Sequence, residues 1–246
     1  IKIGLDDAAL QRLGDPEAGD IAKLSRRDLA ACIAAGQSGA TTVATTMIAA
    51  HLAGIKVFAT GGIGGVHKGA ESTFDVSADL HELAETPVVV VCAGAKAILD
   101  IPKTLEVLET LGVPVTSLGQ SAFPAFWSRK HPDGIKSPSQ AASAAEIAGR
   151  FQTAKLLGLR GGMLVANPIP EADEISNDEM WPIIETAIAE AAAQGVEGNA
   201  VTPFLLQRIF EITGGRSLEA NIALVLNNAR LAAEIAKSLS DGSGNR

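Results

Sequence analysis

Lys96 follows the apolar run Pro87-Val-Val-Val-Val-Cys-Ala93 after Gly94 and Ala95. Such a run reads as a strand buried on both faces, which delivers the next residues to the carboxyl edge of a sheet. An amine held there loses water, so its charged form is disfavoured and its pKa falls. The neutral nitrogen can then attack carbonyl carbon. Upstream, Thr73-Phe-Asp-Val-Ser-Ala-Asp79 supplies two carboxylates and a hydroxyl. Asp75, Ser77 and Asp79 alternate, so an extended backbone would aim all three to one side, where carboxylate oxygens suit a hard divalent cation completed by water. The competing account makes Ser77 a helix cap and Asp79 a first-turn partner of the helix dipole, and leaves Asp75 unexplained. Lysine, aspartates and a nearby glycine loop together point to an enzyme that works through an imine.

The loop from Gly61 to Gly69 is not a nucleotide fingerprint. A G-x-G-x-x-G pattern begun at Gly62 would need glycine where His67 stands. Gly64 and Gly69 have phosphate-loop spacing but are followed by Ala70 rather than lysine. Glycines there still let backbone N–H groups approach an anion closely; a tight turn at a strand end is the plainer account. His67 could serve acid–base or phosphate work, though one histidine in such a loop is a thin signal. Lys23 precedes Ser25-Arg26-Arg27, and two arginines at a helix N-terminus oppose the dipole unless something anionic lies near. Asn221, Asn227 and Asn228 occur in a mostly apolar helix, where a buried amide needs partners from packing or from substrate.

These residues sit on alternating helical and strand patterns. Asp6 caps a helix to about Leu13. Ser25 and Asp28 form the capping box of a helix through Ala35, closed by Gly36. A helix ends near Leu52 before Gly54, Ile55 to Ala59 is a strand, and Ser77 caps a short helix through Ala84. Strands are expected at Val88 to Cys92, Val113 to Leu118 and Met163 to Ala166, with a turn at Asn167-Pro-Ile-Pro170. Helices are expected at Lys103 to Leu111, Ala141 to Leu157, Asp178 to Gln194, Phe204 to Ile212 and Ser217 to Ser238. Phe123 to Ser139, rich in Pro, Ser and charge, reads as a loop that covers a site. The pattern predicts one α/β domain over 1–246, a three-layer α/β/α sandwich around a largely parallel (mixed) sheet.

Composition bounds the function. The 246 residues are 47% hydrophobic and 20% charged, which suits a globular chain with a sizeable core. Twenty basic against 28 acidic residues give −8, an argument against nucleic acid, although a small anion in a locally basic pocket is allowed. No apolar stretch approaches the roughly 20 residues that cross a bilayer, so no membrane is expected. Cys32 and Cys92 lie in apolar contexts and read as buried, reduced thiols, in keeping with the cytoplasm.

In order, Lys23-Leu-Ser-Arg-Arg-Asp-Leu29, Gly39 to Met47, Val57 to His67, Thr73 to Leu80, Val91-Cys-Ala-Gly-Ala-Lys96, Asn167-Pro-Ile-Pro-Glu171, Val201 to Leu206 and Asn221 to Ala229 resemble the pseudouridine-5′-phosphate glycosidase family, also called indigoidine-synthase-A-like. The resemblance covers nearly the whole chain. It implies reversible cleavage of pseudouridine 5′-phosphate to uracil and ribose 5-phosphate, with Lys96 attacking C1 of the ring-opened sugar and the imine later hydrolysed. It also implies Asp75 as the ligand of Mn2+ or another divalent cation. Lys23, Val43, Ser77, Ala78, Asp79, Thr60, His67 and Asn221 become substrate-binding positions, and a homotrimer is implied. The family further carries an N-terminal segment with a glutamate that protonates the sugar for ring opening. The sequence begins at Ile1 without it, so a longer parent protein is expected. Two other readings are open from the residues alone: an aldolase-type Schiff-base lyase of another sugar phosphate, and a non-catalytic sugar-phosphate-binding remnant.

Overall fold

The computed structural model describes residues 1–241 apart from Pro16, Asp20 and Glu197. In chain order the elements are α1 (Asp7–Gly14), β1 (Ala22–Leu24), α2 (Arg26–Ala34), β2 (Gly39–Thr41), α3 (Val43–Leu52), β3 (Val57–Ala59), α4 (Ala70–Thr73), α5 (Ala78–Glu85) and β4 (Val89–Cys92). They continue with α6 (Ile101–Thr110), β5 (Val115–Leu118), β6 (Ser139–Ala141), α7 (Ala144–Leu156), β7 (Met163–Ala166), α8 (Asn177–Ala193), α9 (Val201–Ile212) and α10 (Arg216–Asp241).

The main sheet runs β3-β4-β7-β5-β6, and every pairing in it is parallel. β1 and β2 make a second, parallel pair. β4 and β7 are central and buried throughout, which is why both read as unbroken apolar runs. Successive residues face opposite layers. Val88, Val90, Cys92, Leu164 and Ala166 join a cluster with Met47 of α3, Leu83 of α5, Leu108 of α6 and Ile184 of α8. Val89, Val91, Met163 and Val165 instead meet Ile147 and Phe151 of α7 and Leu231 and Ile235 of α10. Each fully buried valine contributes roughly 1.5–2 kcal/mol. The three layers match the expected architecture.

Helix starts follow their caps. The Ala9 amide donates to Asp6, the Ser25–Asp28 capping box is formed, and Ser77 caps α5. That last cap overturns the alternating reading of Asp75, Ser77 and Asp79: α5 begins at Ala78, so Asp79 lies in a first helical turn rather than on an extended edge. The two arginines also find protein partners. Arg26 reaches Glu82 at 2.6 Å and Glu85 at 3.1 Å, so no bound anion is needed to explain it.

The segment expected to cover a site is anchored in the molecule by buried residues. Phe123, Phe126, Trp127 and Ser128 are buried, Trp127 Nε1 donates to the Ser217 carbonyl at 3.0 Å, and Ser128 Oγ donates to the Ile175 carbonyl at 2.7 Å. Its aromatic residues outweigh its prolines and serines, and its last residue, Ser139, opens β6.

Candidate active site

Residues 60–65 leave β3, residues 93–96 leave β4, and the two stretches zip together beyond the sheet. The Ala93 amide donates to the Gly61 carbonyl at 2.8 Å, the Ile63 amide to the Gly94 carbonyl at 3.1 Å, and the Lys96 amide to the Ile63 carbonyl at 3.2 Å. This zip fixes the backbone of Lys96 against the glycine loop. The loop is backed by the Phe126 ring, which leaves no room for a side chain at Gly62: a Cβ there would stand 2.7 Å from the ring.

Two helix N-termini complete the floor. The Asp79 carboxylate accepts from the Ala44 amide at 2.9 Å through Oδ1 and from the Gly64 amide at 2.8 Å through Oδ2. It therefore ties α5 to the start of α3 and to the glycine loop. Val43 is the first residue of α3, and Ser77 and Ala78 open α5. The Ser77 amide donates to the Gly65 carbonyl at 3.0 Å. Lys23 arrives from β1: the Leu24 carbonyl beside it accepts from Thr45 Oγ1 at 3.0 Å and from the Thr42 amide at 3.2 Å, which docks β1 on the capping turn of α3.

The electrostatics centre on Lys96. Burial lowers its pKa below the ordinary lysine value; the Lys23 charge pushes the same way, and the Asp79 carboxylate opposes both. A pair of amines beside one carboxylate, at the convergence of two helix N-termini, is a place for an anionic substrate and for a nitrogen more easily deprotonated than an ordinary lysine. Cys92, fully buried beneath, has its thiol pushed up to about 12 by burial and is no nucleophile.

The other sequence-predicted residues lie on or against the 60–67 loop. Asn221 from α10 lies against the loop: its Oδ1 is buried without a hydrogen-bond partner among the described residues, and a Cβ at Gly61 would stand 3.1 Å from it. Thr60 begins the loop, and its carbonyl accepts from Asn228 Nδ2 at 2.8 Å. Asp75 and His67 pair on the outer side, the His67 amide donating to the Asp75 carbonyl at 3.0 Å and the imidazole Nδ1 standing 3.9 Å from Asp75 Oδ2. The Asp75 side chain is 45% exposed, so it has open valences for a cation. Among the described residues no three His, Cys, Asp or Glu side chains converge as a preformed metal cage. One carboxylate with a neighbouring imidazole suits a cation that shares water and substrate oxygens. Asp79, expected at the substrate, accepts one backbone amide on each oxygen and so braces the loop that the substrate positions surround. Sequence reasoning missed the braced partners, Ala44 and Gly64, and the amide pair Asn167–Asn228.

The family model described as indigoidine synthase A like protein matches residues 1–238. The chain belongs to the indigoidine synthase A like family. Among curated relatives of this family member, the pseudouridine-5′-phosphate glycosidase of Paracoccus denitrificans (strain Pd 1222) is 64% identical over 239 residues, covering 97% of this chain and 78% of the relative. The pseudouridine-5′-phosphate glycosidase of Geobacillus kaustophilus (strain HTA426) is 55% identical over 240 residues, covering 98% and 78%. Among solved structures, the prealnumycin C-glycosynthase in complex with ribulose 5-phosphate superposes with a TM-score of 0.90 at 36% identity, covering 99% of this chain and 79% of the other. An indigoidine synthase A-like protein from Thermotoga maritima gives 0.84 at 37%, covering 95% and 75%. Among the described residues no helix is long and apolar enough to cross a membrane.

Proposed function

We propose that this chain carries the site of a pseudouridine-5′-phosphate glycosidase, which cleaves the C–C glycosidic bond reversibly to uracil and ribose 5-phosphate. The observation that carries the reading is Lys96, a partly buried amine whose backbone is pinned beyond β4 and whose pKa is lowered by burial. Relatives at 55–64% identity bear the glycosidase name. The structural neighbour with ribulose 5-phosphate bound is a C-glycosynthase, so carbon–carbon chemistry at a pentose phosphate also occurs on this fold.

Ring opening breaks the bond from C1 to the ring oxygen, which takes up a proton, and leaves C1 doubly bonded to the base carbon. The neutral Lys96 nitrogen then bonds to C1 as that C=C pair moves into the base, and the nitrogen loses a proton. Its lone pair then forms the C=N bond as the bond from C1 to the base breaks, and the base carbon takes up a proton. Water hydrolyses the imine, returning the amine and releasing ribose 5-phosphate. A lowered pKa serves the first step, since only the neutral amine is a nucleophile. Lys23, the amide of Val43, and Ser77 with Ala78 bind the substrate's anionic end, Thr60 and His67 line the loop, and Asn221 offers its free carbonyl oxygen to a donor on the base or sugar. Asp75, with His67 beside it, would hold Mn2+ or another hard divalent cation, which supplies charge neutralisation for the phosphate. A homotrimer and a cytoplasmic location belong to the same reading.

Two assays test it. Pseudouridine 5′-phosphate with a divalent cation should yield uracil, and borohydride with ribose 5-phosphate should fix the pentose to Lys96 by peptide mass mapping. A label on another lysine, or uracil release undiminished in Lys96→Ala, removes the imine from the account. A homogeneous mass other than three protomers in solution removes the trimer.

A further inference from the structure

The geometry points to Asn228 as a positioning residue: its side-chain amide fastens the carboxyl ends of β3, β4 and β7 so that the glycine loop and the Lys96 turn keep one register. Asn228 is fully buried in α10, on the stripe that also carries Leu224, Leu231 and Ala232. At such a position an apolar side chain is the default, because a buried amide costs free energy unless it is paired. Here both the nitrogen and the oxygen of the amide are paired, each in a fixed direction. Nδ2 donates to the Thr60 carbonyl at 2.8 Å, and Oδ1 accepts from Asn167 Nδ2 at 3.1 Å. The Asn167 amide in turn donates to the Cys92 carbonyl at 2.7 Å, and the Thr60 amide to the Val91 carbonyl at 2.9 Å.

Thr60 is the first residue after β3, Asn167 the first after β7, and Cys92 the last of β4. The string therefore crosses the sheet at the level where the catalytic loop departs. Without it the Thr60 carbonyl has no donor from α10, and the loop carrying the Ile63 carbonyl, to which the Lys96 amide is bonded, can tilt and admit water. Desolvation is what lowers the Lys96 pKa, so water entry returns that amine toward ordinary basicity. The charged groups that face it, Asp79 from α5 and Lys23 from β1, stay where their own elements hold them.

This inference rests on the imine reading, and the experiment separates the two. The rate of borohydride trapping of ribose 5-phosphate at Lys96 is measured against pH in wild type, Asn228→Asp and Asn167→Ala, with the folded fraction taken from circular dichroism. Asn228→Asp keeps the size and the acceptor for Asn167 but sets an oxygen against the Thr60 carbonyl. Per folded molecule its trapping should slow roughly tenfold or more at neutral pH, with the pH midpoint moved alkaline and kcat lowered more than KM is raised. Asn167→Ala should move the midpoint the same way by less. An unchanged midpoint and rate per folded molecule, beside a labelled wild type, makes Asn228 a packing residue and overturns the inference while the imine stands. Absence of label on wild-type Lys96 overturns both. Should Asn228→Asp fail to fold, Asn167→Ala decides by the same criteria.

Discussion

The Gly64 amide donates to the Asp79 carboxylate at 2.8 Å, and only a residue without a side chain can stand there. A Cβ on Gly64 would lie 2.2 Å from Ser77 Oγ and 2.8 Å from Asp79 Oδ2, so the cap of α5 and the brace would both be displaced. Gly64→Ala should therefore abolish uracil release and cost about 1–3 kcal/mol of stability, the typical range for overpacking. Urea denaturation beside the uracil assay checks it. Wild-type activity in that variant would mean that the loop and Asp79 are not coupled.

Among the described residues, Asp79 is also the group that holds the Lys96 pKa up against burial and Lys23. Asp79→Asn removes that charge and turns an NH2 toward one of two backbone donors, on Ala44 or Gly64. The pH midpoint of imine trapping should move acid, the reverse of the shift expected for Asn228→Asp. Stability should fall by about 1–3 kcal/mol as one amide loses its acceptor. A midpoint that moves alkaline would show that loosened packing outweighs the lost carboxylate.

The same carboxylate marks where the sequence stops being legible. Lys96 can be found because a run of valines announces a buried strand, and the residue after such a strand has nowhere to go but the sheet's edge. The caps at Asp6, Ser25 and Ser77 are readable because a cap and its helix are neighbours in the chain. The bracing role of Asp79 is not legible because its partners, the amides of Gly64 and Ala44, lie 15 and 35 residues away and leave no mark in local spacing. β1, β2 and β6 escape such reading for another reason: each is short and runs almost directly into a capped helix, so it merges with the helical pattern, and its pairing is set by neighbours. In Phe123 to Ser139 turn-forming residues outnumber aromatic ones, so composition shows the loop but not its anchoring by Phe123, Phe126 and Trp127.

The anion required by Arg26 is Glu82, 56 residues along the chain and completely buried. Its other oxygen accepts from the Thr86 hydroxyl. Arg26→Ala strips the buried carboxylate of a half-exposed counter-charge and should cost roughly 1–2 kcal/mol, the buried-pair penalty discounted for solvent screening of the guanidinium. Adding Glu82→Gln should recover most of that loss, because the charge that needed a partner is gone. A double-mutant cycle by urea denaturation checks this, and simple additivity of the two losses would show that the pair is not coupled. Lys96 chemistry should be altered little in either variant, since neither side chain touches the brace.

Replacing the amine itself separates stability from activity. In the folded chain the Lys96 pKa lies below its ordinary value of 10.5. Between the folded and unfolded pKa values the unfolded chain therefore binds more protons, and stability rises with pH across that window. Below the folded pKa the cost of burying this lysine is present in full; above 10.5 it is gone. Lys96→Met keeps the length and removes the charge. At neutral pH it should be more stable than wild type, with the advantage shrinking as pH climbs toward 10.5, while uracil release falls by at least about a hundredfold. Thermal denaturation of both proteins from about pH 7 to 10 checks the sign. A stability difference independent of pH would show that Lys96 is solvated as an ordinary surface lysine, and the nucleophile would have to be sought elsewhere.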